Sequence, residues 1–379
     1  MPGFGAQDVG RLERLRSASG ELSGAFGDLG TFLPYVVAAV GAGILAPTPV
    51  FAGFAAGYVL VAAVYRMPVS VQPMKALGAV IIAGGLTAVE TAWAGGIVGA
   101  VLLLLAAIPS FERAARAIPQ SVVTGLQAGL GLMLGTVAFG LMSHDWVMAL
   151  ASLAVLSLAL LLPRGPWVPL VVIGAVLLVP HAGPPMTPAS PAGGIDTVHA
   201  VLSGVLAQLP LTLLNAVVVA AAVARSLYPD RAARVNERRL AATNGLMNLL
   251  LAPLGAMPMC HGAGGIAAHR RFGARGMGAP LIMAASCGAV VAMGPEIVGL
   301  LMTIPPAVVG ALLIYAAADL ILSPRLLDAR PDCRPVIAAA ALATVFLGAL
   351  AGLLTGLAAE GMRVYIRRRH RPGSTHSGG

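Results

Sequence analysis

"MPVSVQPMKALGA" (67–79) and "MPMCHGAGGIAAH" (257–269) decide the fold. Both open on Met-Pro, pass through a stretch that does not favour helix, and enter a short run of small residues. They stand half a chain apart in 379 residues. Proline lacks a backbone N–H and pushes the residue before it toward extended backbone. Each stretch is therefore expected to run extended and then start a short helix. Interrupted segments at matching places in two halves are the sequence sign of an inverted repeat.

The surroundings of both stretches are apolar. The chain is 58% hydrophobic and only 10% charged, against about 25% charged in soluble domains; its mean hydropathy is +0.87. Apolar runs recur from about residue 22 to 362, many near the length that crosses roughly 30 Å of hydrocarbon. They are continuous, without the alternation of a membrane β-barrel. The expected fold is an all-α polytopic membrane protein. Its segments are read as 24–44, 48–65, 73–87 (short), 89–109, 119–142, 146–162, 166–180, 207–227, 239–255, 261–270 (short), 278–303 with a break at Gly294-Pro295, 305–322, and two short helices within 334–362. That makes fourteen.

The arginines test the count. With residues 1–20 in the cytoplasm, the clusters after segments 2, 4, 6, 8, 10, 12 and 14 (Arg66, Arg113 and Arg116, Arg164, Arg225 to Arg239, Arg270 to Arg275, Arg325 to Arg334, Arg363 to Arg371) all fall on one side. The intervening loops hold none, as the positive-inside rule requires. The expected organisation is a first repeat at 21–182, an extracytoplasmic loop at 183–199, a second repeat at 200–363 of opposite orientation, and a basic cytoplasmic tail at 364–379. The net charge of +9 then belongs to loops facing the cytoplasm, and no nucleic-acid partner is expected. The three cysteines form no CxxC pair, and no removable signal peptide is expected at the N-terminus. The expected location is the inner or plasma membrane, crossed many times, with both termini cytoplasmic.

Lys75, the sole lysine, stands apart from this pattern, within an apolar segment. A lysine at membrane depth costs about 2.5–3.5 kcal/mol on insertion scales. It either snorkels to an interface or faces a water-filled cavity that receives an anion. The second reading fits the neighbouring residues. Extended backbone inside a membrane is tolerated where protein or water satisfies it, so helices starting near Met74 and Gly262 would meet at the midplane. Their unpaired N–H groups and positive dipole ends would face each other and bind an anion. Candidate substrate-binding residues are Gln72, Pro73, Met74 and Lys75 on one side and Cys260, His261, Gly262, Ala263 and Gly264 on the other. Asn215 in segment 8, a turn after Thr212, and Thr31 in segment 1 are candidate wall residues; helix-to-helix hydrogen bonding is the competing role for Asn215. Asp28, an acid within segment 1, is a candidate for a coupling proton, for pairing with Lys75, or for capping backbone. His261 is the second coupling candidate. Cys260 and His261 are adjacent and make no nucleophile–base pair; no metalloprotease or phosphate-loop motif is present, so no enzyme, cofactor or metal is expected.

With "GAFGDLGTFLPY" (24–35) and "LPLTLLNAVVVA" (209–220), the two opening stretches resemble the molybdate-transporter family of the sulfate-permease superfamily. The resemblance implies fourteen segments in a 7+7 inverted repeat, a core of segments 1–4 and 8–11, a gate of segments 5–7 and 12–14, and substrate between the starts of segments 3 and 10. It implies a secondary active importer of molybdate moving core against gate like an elevator. Cys260 to Gly265 differ from the Ser/Arg-type signature of sulfate permeases, and the short tail lacks their regulatory domain, which favours the molybdate branch. Gly276-Met277 departs from the family, where a small polar residue and Gly follow the arginine. The expected partners are molybdate, with tungstate or sulfate as competitors, the lipid bilayer and, as a compatible assembly, a second copy in a homodimer. The rival readings are a sulfate or other dianion transporter, a nucleobase carrier, which would need carboxylates near the half-helices, and a membrane-embedded enzyme or scaffold.

Overall fold

The computed structural model describes residues 18–111, 113, 119–161, 197–294, 304–322 and 324–369. Segment 7, most of the loop before segment 8 and the end of segment 11, including Pro295, lie outside the described residues.

A helical stretch from Ala18 ends in a single 3₁₀ turn, Phe26–Asp28, and continues as α1, Leu29–Gly41. The two parts meet at 51°, so segment 1 is broken at Asp28, where a straight span was expected. Then come α2 (Pro47–Tyr65), the two-residue strand β1 (Gln72–Pro73), α3 (Lys75–Ile82), α4 (Ala88–Ala107), α5 (Gln120–Met142) and α6 (Trp146–Leu161). The second half gives α7 (Thr197–Leu211), a π-helical stretch Thr212–Val219, α8 (Ala220–Leu227), α9 (Glu237–Leu251), β2 (Met259–Cys260), α10 (Ala263–Arg271), α11 (Gly278–Met293), α12 (Pro306–Ile321), α13 (Arg334–Leu347) and α14 (Ala349–Arg369). Among the described residues, five helices are long and apolar enough to cross a membrane, six if the bent first pair counts as one.

Local chemistry explains the boundaries. Thr87 and Glu90 close a capping box at the start of α4: the Glu90 N–H donates to Thr87 Oγ1 (3.3 Å) and the Thr87 N–H to Glu90 Oε2 (2.8 Å). Gly348, at φ 93, separates α13 from α14, a conformation that costs glycine nothing; the expected division of 334–362 is present, and α14 runs on to Arg369. Segment 8 is corrected. It begins at Thr197, ten residues before the expected start, and runs unbroken to Leu227. The helix accommodates Pro210 by widening into the π-helical stretch that follows, a common way to re-satisfy freed backbone.

Helices α5, α6, α12, α13 and α14 pack together, as do α2 with α11, α4 with α7 and α9, and α8 with α10; α12 also packs on α1, and α14 on α7, between the two sets. Small residues permit the approach. A Cβ on Gly99 of α4 would stand 2.5 Å from the Leu249 nitrogen of α9, and one on Gly245 would stand 2.9 Å from Gly99 O. On the 18–28 helix, Glu21 accepts from the N–H groups of Arg275 (2.8 Å), Gly276 (2.6 Å) and Ala279 (2.8 Å). That carboxylate holds the start of α11 where the sequence departs at Gly276-Met277.

Candidate anion site at two half-helices

β1 and β2 pair antiparallel, Gln72 opposite Cys260 and Pro73 opposite Met259. The Met74 N–H donates to Pro258 O at 2.8 Å. The extended prolyl stretches thus satisfy each other's backbone deep in the protein, and each then starts a half-helix. Met74 and Gly262 hold the N-cap positions of α3 and α10 with extended backbone, and neither helix is capped by its own N-cap side chain. Lys75 is the first residue of α3 and half-buried; it lies within electrostatic reach of both Asp28 and Cys260. Both helix starts fall where the two Met-Pro stretches led them to be expected.

Two features go beyond the sequence reading: a glutamine that reading did not single out, and the place that Asp28, singled out there, takes at α10. The first is Gln208 of α7, buried at 1% exposure. Its Oε1 accepts from the Ala76 N–H (2.9 Å) and the Leu77 N–H (3.1 Å), and its Nε2 donates to Thr212 Oγ1 (2.7 Å). Two of the N–H groups expected to be free at the start of α3 are therefore already bonded, a correction to the expectation of two open helix ends. The second is a buried acid at the start of α10. Gln72 Nε2 donates to Asp28 Oδ1 (2.6 Å) and Oδ2 (2.5 Å) and to Thr31 Oγ1 (2.8 Å), and the Thr31 hydroxyl donates to the Asp28 carboxylate. This cluster lies directly on the first turn of α10. A Cβ on Gly262 would collide with the Gln72 amide, and one on Gly265 would collide with both the Asp28 carboxylate and Gln72. Gly264 faces open space.

His261 has a different place from the one its sequence position suggested. It is fully buried, with its N–H donating to Asn244 Oδ1 (3.0 Å), Nδ1 against Ser70 O (3.0 Å) and Nε2 against Thr243 Oγ1 (2.7 Å). Tyr65 reaches the same Thr243 hydroxyl at 2.7 Å. Ser70 O can only accept, so Nδ1 carries the proton and Nε2 accepts from Thr243. Both ring nitrogens serve the scaffold, and neither is turned to a substrate. Alternation along a strand supplies the reason. Cys260 shares a face with its partner Gln72, so the next side chain points the other way, into α9. There Asn248 completes the clamp, donating to Met259 O (2.6 Å) and accepting from the Met259 N–H (2.9 Å).

Of the remaining candidates, Pro73, Met74, Cys260, Gly262 and Ala263 are buried around the strand pair, and Thr31 belongs to the Asp28 cluster. Asn215 is half-buried in the π-helical stretch, which packs on α9 and α10. Among the described residues no cluster of His, Cys, Asp or Glu could hold a metal ion.

A family model described as "Molybdate transporter of MFS superfamily" matches residues 20–134 and 200–320. Molybdate transporter 1 of Arabidopsis thaliana is 29% identical over 84% of this chain and 82% of its own length. Molybdate transporter 2 of the same plant is 27% identical over 92% and 88%. The transmembrane domain of the cyanobacterial bicarbonate transporter BicA superposes with a TM-score of 0.63 at 17% identity, covering 89% of this chain and 97% of that one. SLC26A9 superposes at 0.67 and 15% identity, covering 94% and 66%. These superpositions show that the chain shares the fold of these proteins.

Proposed function

The chain belongs to the molybdate transporter family, and on that premise we propose that it imports molybdate as a secondary active transporter, holding the oxyanion between the starts of α3 and α10. The observation that carries this reading is the antiparallel pairing of β1 with β2, which sets two half-helices and the sole lysine around one point. The proposed frame is fourteen spans in two inverted repeats, 21–182 and 200–363, with both termini cytoplasmic in the inner or plasma membrane. The division into two closely packed helix sets supports an elevator-like movement of a core past a gate. A homodimer is compatible with this frame.

Charge arithmetic supports a proton as the coupling ion. The empty site holds Lys75 and Asp28, one charge of each sign. Molybdate brings two negative charges, and the open end of α10 offers about half a positive charge. The sum improves by one unit when Asp28 takes a proton, so dianion and proton favour each other's binding, reciprocally. Thr31 and Gln72 position that carboxylate, while His261 fixes the strand pair.

The test is equilibrium binding to purified protein with molybdate, tungstate and sulfate in competition, followed by uptake into proteoliposomes. Molybdate and tungstate are expected to displace each other, with sulfate weaker, and uptake is expected to rise as the outside pH falls. Sulfate binding as tight as molybdate would reassign the substrate. Uptake indifferent to a collapsed proton gradient would remove the proton.

A further inference from the structure

We propose that His269 is the proton acceptor that takes the coupling proton from Asp28 toward the arginine-rich end of α10. This inference rests on the proton-coupled reading above and names the residue that completes it.

Three observations meet at His269. It is fully buried in the last turn of α10. Its Nδ1 lies 2.6 Å from Gly24 O, which can only accept, so Nδ1 carries the proton of the neutral ring. Its Nε2 is then a bare lone pair, and it has no hydrogen-bond partner among the described residues. A buried polar atom left unsatisfied is costly, and such exceptions call for a reason. An acceptor waiting for a proton supplies one.

The fold sets this acceptor close to the acid. Asp28 lies against Gly265, and residue 269 follows one turn later on the same face of α10. The other charges around α10 have their own engagements. Arg225 of α8 bridges to Glu237 at 3.1 Å, Arg270 stacks over Tyr228 at 5.3 Å, and Glu21 is bound to the start of α11. The π-helical stretch against α10 contains no titratable side chain.

The step balances. Asp28 is not in hydrogen-bond reach of Nε2 in this state, so the proton passes through an intervening water: the O–H bond of the protonated Asp28 breaks, the water gives a proton to Nε2 as it takes one from Asp28, and a carboxylate and an imidazolium result. Gly24 O keeps the ring oriented throughout. The imidazolium then releases its proton past Arg270 and Arg271 to cytoplasmic water. Breaking the first helix at Asp28 serves the same end, because Gly24 and Asp28, on one side of that bend, touch the two ends of the same turn of α10.

The test uses the full-length protein in proteoliposomes with a pH-sensitive dye inside. His269→Asn keeps a donor where Nδ1 stood but cannot titrate. Molybdate binding and molybdate–molybdate exchange are expected within about twofold of wild type, while proton entry coupled to net uptake slows at least tenfold. Asp28→Asn should abolish coupled proton entry. If wild type moves no protons with molybdate, the coupled reading and this inference both fall. If wild type moves protons and His269→Asn does so at the wild-type rate, the coupling stands and His269 is overturned. A folding defect in the variant is bypassed by ¹⁵N-histidine NMR on wild type and Asp28→Asn. The His269 ring-nitrogen shifts should differ between wild type and Asp28→Asn. Shifts that are the same in both overturn the inference.

Discussion

Replacing Lys75 with alanine removes the only full positive charge at the half-helix starts. The expected loss follows from the neighbours. Gln208 already occupies two N–H groups of α3, so the helix dipoles contribute less than two open ends would, about half a charge from α10. With Asp28 protonated, a bound dianion faces roughly +1.5 in wild type and roughly +0.5 in Lys75→Ala. One unit charge near 4 Å is worth about 4 kcal/mol at an effective dielectric constant of 20. Lysine must also give up water and rotamer freedom to hold the anion, which offsets much of that. A net loss of 1.4–2.8 kcal/mol remains as the working estimate, about ten- to a hundredfold in Kd. Lys75→Arg should recover only part, because the planar fork differs from a compact ammonium in size and hydration. Isothermal titration of purified, monodisperse protein with molybdate gives the number. An alanine variant that binds within twofold of wild type would refute the reasoning and leave Lys75 as a snorkelling side chain.

Gly262→Ala should abolish binding, because a Cβ there collides with the Gln72 amide that holds Asp28; Gly264→Ala, which points into open space, should leave thermal stability unchanged, and comparing both melting curves and both Kd values checks the pair. Gln208→Leu should leave the Ala76 and Leu77 N–H groups orphaned, costing about 1–3 kcal/mol, and should slow net uptake more than exchange in proteoliposomes. On the loop before α13, the hydrogen bond from Arg363 (2.6 Å) holds the Asp332 carboxyl below its usual range. A lowered folded-state pKa gives stability that is present above the unfolded value, near 3.9, and is lost as pH falls through the folded one; melting temperature should therefore drop on the acid side of about pH 4, less steeply in Asp332→Asn.

What the sequence revealed of this site was its backbone. Met-Pro twice, each followed by small residues, was enough to locate two extended stretches and two helix starts, because proline and glycine constrain φ and hydrogen bonding wherever they stand. Side-chain direction was less accessible. His261 follows Cys260 by one residue, and only the register Gln72 opposite Cys260 decides which of them faces α9. Gln208 was hidden for another reason. A single amide in an apolar run does not say which helix it serves, and its partners Ala76 and Leu77 lie more than a hundred residues earlier. His269 went unread beside Arg270 and Arg271; its burial comes from the contact with Gly24, which no local pattern encodes.

Gln208 and Asp28 together explain how such a site survives without its substrate. A carrier that moves an anion must return empty, and an empty pair of helix starts would leave unsatisfied N–H groups in a medium without water to take them. Here the protein supplies stand-ins. A neutral carbonyl oxygen bonds the start of α3, and a carboxylate lies on the start of α10. The two stand-ins differ in the one property that matters for coupling. An amide oxygen cannot be neutralised, so α3 keeps its cap in both directions of travel. A carboxylate loses its charge by taking a proton, so on the proposed proton-coupled reading α10 could exchange its resident negative charge for the substrate's. On the proposed reading the asymmetry gives structural constancy to the first half-helix and exchange chemistry to the second, although both stretches open on Met-Pro and enter small residues.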